Sequence, residues 1–183
     1  MTEFANHIRT LIEGHGDDKI EMIADIIGFA TKAGYTVADV DDTKPWGGFV
    51  RFDYKDGDRF IAEFFPDVNP VEARLGNPNA ELSPKILLVA PEQRLSWQVH
   101  ARRAERWKFL NDGGYHKSTD PDNPGEIIEA HTGDEVQFEA GECHRLVGAN
   151  NHYTLVAEIW QHIDKNNPSD EADITRLQDD YKR

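Results

Sequence analysis

Positive charge is scarce in this chain of 183 residues, where 20 Lys+Arg stand against 34 Asp+Glu for a formal net charge of −14. A surface of that sign repels the nucleic-acid backbone and excludes a non-specific nucleic-acid binder. Cysteine is nearly absent: the single Cys143 excludes an intrachain disulfide framework and any Cys-rich zinc site. A bound metal would have to rely on His, carboxylate and amide ligands. Long apolar runs are missing as well. The stretch 86–90 is far short of the roughly 20 residues a membrane span needs, and the N-terminus, with Glu3, has no apolar h-region of a signal peptide. The expectation is a soluble, cytoplasmic protein without a membrane partner. What is present is enough apolar matter for one folded domain, with 38% hydrophobic residues including 4 Trp, 5 Tyr and 9 Phe.

Periodicity divides the chain. Phe4, Ile8, Leu11 and Ile12 form one helical stripe, and Ile20, Ile23, Ala24 and Ile27 a second, with Asp18 and Glu21 spaced as a capping box and Gly34 as a stop. Residues 1–40 therefore read as a helical extension. After Pro45 and the Gly47-Gly48 pair, residues 49–54 alternate as a strand, while Phe60, Ile61, Phe64 and Phe65 favour a short helix. The segment 66–84 holds four prolines and reads as a long loop. From residue 86 onward, short strands are predicted at 86–90, 95–100, 106–110, 126–130, 135–138, 144–147 and 153–163. Turn signals at 112–114, 123–125, 132–134 and 140–142 separate them. Many short strands at this spacing indicate a barrel or sandwich. The charged run 170–182, with Ile174, Leu177 and Tyr181 at helical spacing, predicts a terminal helix.

One constellation carries chemistry. Gln98 and His100 share a strand face, Glu105 follows after a short turn, and His144 lies past the Gly141 turn. Inside a barrel, these four residues would hold one divalent cation through oxygen and imidazole nitrogen. The other histidines, His7, His15, His116, His131, His152 and His162, lack paired spacing. Cys143 alternates away from His144 and reads as a small buried residue.

The spacing Gln98-x-His100-x4-Glu105, followed by Gly133-x7-Gly141-x2-His144, resembles the two sequence motifs of the cupin superfamily. First-motif cupins usually have His where this chain has Gln98, and second-motif cupins usually have Pro at Glu139. Within cupins the chain is similar to the type II mannose-6-phosphate isomerases. Three features carry that likeness: Lys44-Pro45-Trp46-Gly47, with Lys for the usual Arg; the unbroken Leu-Ser-x-Gln-x-His-x-x-Arg-x-Glu-x-Trp pattern from Leu95 to Trp107; and a terminal segment from Asp173 to Arg183 with Lys182 for the usual Gly. The likeness spans residues 44–183 and leaves the helical extension and the 66–84 segment outside it.

The resemblance implies an all-β cupin barrel over residues 41–183 with a C-terminal helix, preceded by the helical extension. It implies one divalent ion (Zn, Mn, Fe or Co) on Gln98, His100, Glu105 and His144. The implied activity is aldose–ketose isomerisation of a sugar or sugar phosphate, with mannose 6-phosphate to fructose 6-phosphate as the favoured reaction. Arg176 and Arg103 sit within matched motifs and are the candidate catalytic arginines; Glu158, inward by strand parity, is either the base or a structural hydrogen-bond acceptor, with a metal-bound hydroxide as the other candidate base. At −14 the chain repels anions at long range, so a phosphosugar needs local cations, for which Lys44, Lys85, Arg94, Arg103 and Arg176 are the candidates. Trp46, beside two glycines, would line a pocket mouth. An iron-dependent dioxygenase and a non-catalytic sugar-binding module are the other readings, and pairing of barrel edges into a homodimer is the expected assembly.

Overall fold

The computed structural model describes residues 3–14 and 18–182. His15 and Arg183 lie outside them, as does the side chain of Ile12. Two helices open the chain, α1 (Glu3–Gly14) and α2 (Lys19–Lys32). The Asp18 carboxylate caps α2 by accepting from the Ile20 and Glu21 amides, and Gly34 ends it at φ +84°. The strands β1 (Val37–Asp41) and β2 (Gly47–Phe52) follow, then helix α3 (Gly57–Phe64) and the single turn α4 (Pro70–Ala73). The remaining strands are β3 (Lys85–Val89), β4 (Trp97–Val99), β5 (Arg103–Phe109), β6 (Gly113–Ser118), β7 (Ile128–Ala130), β8 (Glu135–Phe138), β9 (Cys143–Val147), β10 (Thr154–His162) and β11 (Thr175–Gln178).

The strands form two antiparallel sheets, in the orders β1-β2-β3-β10-β5-β8 and β11-β4-β9-β6-β7. They face each other as a mostly-β barrel. Strand β10 shows why the chain folds this way. Its residues are buried on both faces, and most are apolar, because both faces are covered. Leu155, Ala157 and Ile159 face outward into a core shared with Phe4, Ile8, Ile26, Phe60 and Phe64 of the helices. The opposite parity, Val156, Glu158 and Trp160, faces the barrel interior, where Val156 packs with Leu87, Val89, Trp107, Phe109 and Phe138. The same alternation turns Lys85 of β3 and Arg103, Glu105 and Trp107 of β5 inward. Three apolar helices thus plug one face of the first sheet, and polar side chains on its other face are left for the barrel.

Gly47 permits the close approach of β2 to β3. Its φ is +146°, and a Cβ there would lie 1.9 Å from the Leu88 carbonyl oxygen. The Asp112-Gly113-Gly114 signal is not a turn: both glycines begin β6, because side chains there would meet Thr154 at 2.5 Å and Ile127 at 2.8 Å. Strand β1 escapes the sequence because it is a mostly exposed edge with no apolar alternation. In the 66–84 segment Asn69 caps the four-residue α4, with Pro70 in its first turn. The expected C-terminal helix is corrected: residues 175–178 are the edge strand β11, with Arg176 opposite Gln98. Ile174, Leu177 and Tyr181 have helical spacing, but ladder bonds to β4 and the Arg94–Asp180 ion pair hold the segment extended. No helix among the described residues is long and apolar enough to cross a membrane.

Phe60 lies at the centre of the aromatic cluster under the first sheet, in ring contact with Tyr35, Phe52, Phe64 and Phe65. Phe60→Ala is expected to cost about 3–5 kcal/mol in urea unfolding, the scale of an aromatic deletion from a packed core. Val71→Ala, at an exposed site on α4, should stay within about 0.5 kcal/mol of the parent. Equal midpoints for the two variants would contradict the packing of the helices on the sheet.

Candidate metal centre

Strands β4, β5 and β9 bring His100, Glu105 and His144 together, with ligand atoms all within 4.8 Å of one another and all three residues buried. Short connections enforce the meeting. His100 directly follows β4 and Glu105 is the third residue of β5, so the 101–102 bend folds one over the other. The Gly141 turn delivers β9 alongside, its amide donating to the His100 carbonyl at 2.8 Å. Gln98 sits directly opposite His144 in the ladder.

The two histidines are held in one tautomer by their outer partners. The His100 Nδ1–H faces the Asp173 carbonyl, and the His144 Nδ1–H donates to the Glu142 carbonyl at 3.2 Å. Each ring therefore presents an Nε2 lone pair to the carboxylate. His100 Nε2 lies 3.1 Å from Glu105 Oε1, and His144 Nε2 lies 3.2 Å from Glu105 Oε2. Glu105 Oε2 and His144 Nε2 are buried without a hydrogen-bond partner. Two buried lone pairs face to face repel, and a cation is the partner that reconciles them. The residues fit a divalent ion on that observation. Burial pushes His100 down to about 4, against the opposing pull of Glu105, so it is neutral at pH 7 and competent as a ligand. Burial alone would raise the Glu105 carboxyl, but the Arg103 guanidinium beside it holds it well below the usual carboxylate range. Gln98 directs its amide oxygen to the Ser96 hydroxyl at 2.8 Å and its amide nitrogen to within 3.5 Å of His100 Nε2. Rotating the amide by half a turn would present the oxygen to the cluster instead.

The cluster opens on a cavity of about 360 Å³ whose wall includes Gln98, Glu105, Arg103, Lys85, Glu158 and Arg176. Lys44, Trp46, Phe49 and Glu171 also line it. Lys44 is paired with Asp41 at 2.8 Å, and Lys85 with Glu171 at 3.1 Å and Glu158 at 3.6 Å. The Glu158 carboxyl is buried and accepts from the Trp107 indole at 3.0 Å. Burial first, then the charge of Glu105, raise it to about 7 against the opposing pull of Lys85 and Arg103. Arg103 spends its donors on the protein: Glu105 at 2.9 Å, the Ser169 hydroxyl at 3.2 Å and the carbonyls of Asp170 and Asp173 at 3.0 and 3.1 Å. Its guanidinium lies 3.9 Å from the centre of the Trp160 ring. Arg103 thus holds Glu105 in place and has little left for a ligand. Among the described residues Arg176 is the one cation of the cavity wall without an ion pair.

Arg94 is corrected as a cavity residue. It lies outside that wall, held on the surface by both carboxylate oxygens of Asp180. None of the other described histidines joins the cluster. His7 stacks on Phe29, His116 faces the Gly125 carbonyl, and His162 bridges the Glu81 carbonyl and the Ser169 amide. His131 and His152 stay near Asp112 on the surface. Cys143 is buried on the opposite parity of β9, and burial raises its thiol. The residues sequence reasoning missed are Glu171, Ser169 and Asp173. Glu171 and Asp173 belong to the charged run 170–182, which reads as a solvated helix face, and Ser169 precedes it; the only signal was the presence of Asp173 in the terminal motif.

No family model matches the chain, and no curated protein does. Solved structures do. The capsular polysaccharide assembling protein CapF from Staphylococcus aureus superposes with a TM-score of 0.51 at 14% identity, over 87% of this chain and 38% of that one. A second crystal form of CapF gives a TM-score of 0.50 at 14% identity, over 87% of this chain and 40% of the other. This chain thus spans well under half the length of the CapF chains it matches. A Cupin 2 conserved barrel domain protein from Salinispora arenicola is 20% identical with a TM-score of 0.39, over 45% of this chain and 65% of that one. At 14% identity the CapF likeness speaks for the fold alone, a mostly-β barrel of two antiparallel sheets.

Proposed function

We propose that the chain is a metal-dependent aldose–ketose isomerase of a sugar or sugar phosphate, with mannose 6-phosphate and fructose 6-phosphate as the first pair to test. The observation that carries this reading is the buried His100/Glu105/His144 set opening on a polar cavity with an unpaired arginine and a buried carboxyl. Isomerisation moves one proton from C2 to C1 and one from O2 to O1, and it needs no external oxidant. A divalent ion held by the two histidines and the glutamate, with Gln98 as a fourth ligand, would supply Lewis-acid polarisation of the sugar carbonyl. The chain's own groups do the rest. Glu158 lies inside the cavity with one oxygen fixed by Trp107, and its other oxygen is the proton acceptor for C2. Lys85 sets the charge beside that carboxyl. Arg176 supplies a planar fork for phosphate oxygens or for the developing oxyanion.

Two histidines and one carboxylate also suit non-haem iron, which favours an iron-dependent dioxygenase as the second reading. Incubating the metal-loaded protein with a panel of aldose phosphates and free aldoses, with product identification and an oxygen electrode, separates the two. Ketose formation without oxygen uptake supports the isomerase, and substrate-dependent oxygen uptake overturns it.

Three outcomes are expected. The purified wild type should carry about one divalent ion per chain by elemental analysis, and the His100→Ala/His144→Ala double variant none; full occupancy in the variant would displace the centre from these residues. Arg176→Ala should leave folding and metal content unchanged while lowering kcat/KM by at least about a hundredfold, with Arg176→Lys also impaired. Unchanged kinetics would remove Arg176 from the site. Glu158 gives a pH signature. Its folded value of about 7 lies above the ordinary 4.5, so its protonated form contributes stability that is full below about 4.5 and lost as pH rises through about 7. In metal-free protein the melting temperature of the wild type should fall relative to Glu158→Gln across that window. Parallel curves would show that Glu158 is ionised in the fold throughout.

A further inference from the structure

The metal ligands and the arginine of the cavity wall come from distant parts of the chain, and one residue joins them. Asp173 is 7% exposed and lies two residues before β11. Its carboxylate accepts from the backbone amides of Ala101 at 3.0 Å and Arg102 at 2.9 Å, one oxygen for each. Those amides form the bend between β4, which ends beside His100, and β5, which carries Arg103 and Glu105. The Ser169 hydroxyl donates to the same carboxylate at 2.8 Å. The Asp173 carbonyl, in turn, accepts from the His100 ring and from Arg103. Side chain and main chain of one residue therefore grip the bend from one side and the ligand ring and the Glu105-holding arginine from the other. Ile174 and Arg176, which follow directly, are in the cavity wall.

We propose that Asp173 is a positioning residue: it fixes the 101–102 bend and the His100 ring, so that the geometry of the metal centre and the placement of Arg176 are set by one clamp. The inference rests on the metal-centre reading above. It assigns Asp173 no contact with substrate. A hydrogen-bond acceptor behind a ligating imidazole fixes ring and tautomer, and loss of such a partner commonly costs 10–100-fold in metal affinity. Asp173→Asn keeps size and backbone but turns one acceptor into an NH2 donor facing a backbone N–H, so one of the two amides of the bend loses its partner.

The test is binding of Co2+ by the purified full chain, with affinity from chelator competition and the ligand field from the visible spectrum. Asp173→Asn is expected to weaken Co2+ binding by about tenfold or more and to shift the spectrum. Ile26→Ala, which destabilises the helical layer far from the centre, should lower the melting temperature and leave affinity and spectrum at wild-type values. Ser169→Ala, which removes one hydrogen bond to the Asp173 carboxylate, should weaken binding in the same direction by a smaller factor; it carries the test if Asp173→Asn does not fold. Wild-type affinity and spectrum in Asp173→Asn, or in Ser169→Ala where that variant carries the test, would overturn the clamp while leaving the centre standing. An affinity loss in Ile26→Ala matching that of Asp173→Asn would overturn it too, reducing the effect to general destabilisation. A wild-type chain that binds no Co2+ would overturn the centre itself and the clamp with it.

Discussion

The barrel interior is organised around a carboxylate taken out of water. Glu105 is 2% exposed, and an unpaired ion at that depth would cost several kcal/mol even after relaxation. Its neighbours exist to meet that cost. Arg103 neutralises one oxygen, while the two imidazoles turn lone pairs toward the carboxylate, a repulsion that a bound cation would relieve. Removing any one of them leaves a charge or a lone pair uncompensated, which couples three strands and the C-terminal segment into a single electrostatic unit. That unit explains why the short strand β4 stays ordered: His100 ties it to β5 and to Asp173, and Gln98 ties it to β9 and β11.

The rest of the fold makes that burial possible. A barrel of this size has few interior positions, and the inward parity of β3, β5 and β10 spends several of them on Lys85, Arg103, Glu105 and Glu158. The apolar area lost inside is regained outside, where α1, α2 and α3 cover the reverse face of β2, β3 and β10. Helices and site are thus two faces of one sheet. A sheet polar on its concave side is secured by a thick apolar layer on its convex side, so the extension that lies outside the family pattern belongs to the scaffold of the centre.

How much of this was legible in the sequence depends on whether the governing contact is local. The convergence of the candidate ligands was readable because strand alternation and two turns fix them within short spans: Gln98 and His100 by parity, His144 by the Gly141 turn. Glu158 was placed inward by parity alone. The helices were readable from their stripes and from Asp18. What failed has non-local causes. Arg94 looked like a free cation until Asp180, 86 residues away, took both its faces. The Gly113-Gly114 pair looked like a turn because glycine punctuates turns more often than it relieves a crowded strand. The terminal run kept the spacing of a helix, but spacing is a weak constraint over so few residues, and pairing with β4 decided the outcome.

The same distinction separates the two kinds of cation in the cavity. Lys85 and Arg103 are committed to carboxylates at close range, so their charge is already used in setting the state of Glu158 and Glu105. Arg176 stands on an exposed edge strand, opposite Gln98, with no carboxylate among the described residues claiming it. A cation that is held by ladder bonds and left electrostatically open costs little in the free protein and is ready for an anionic group that arrives from solution. In a chain with a net charge of −14, attraction of such a group must be short-ranged. Under the proposed function, one open guanidinium at the cavity wall, positioned by the backbone beside pairs that screen their own charge, would supply it.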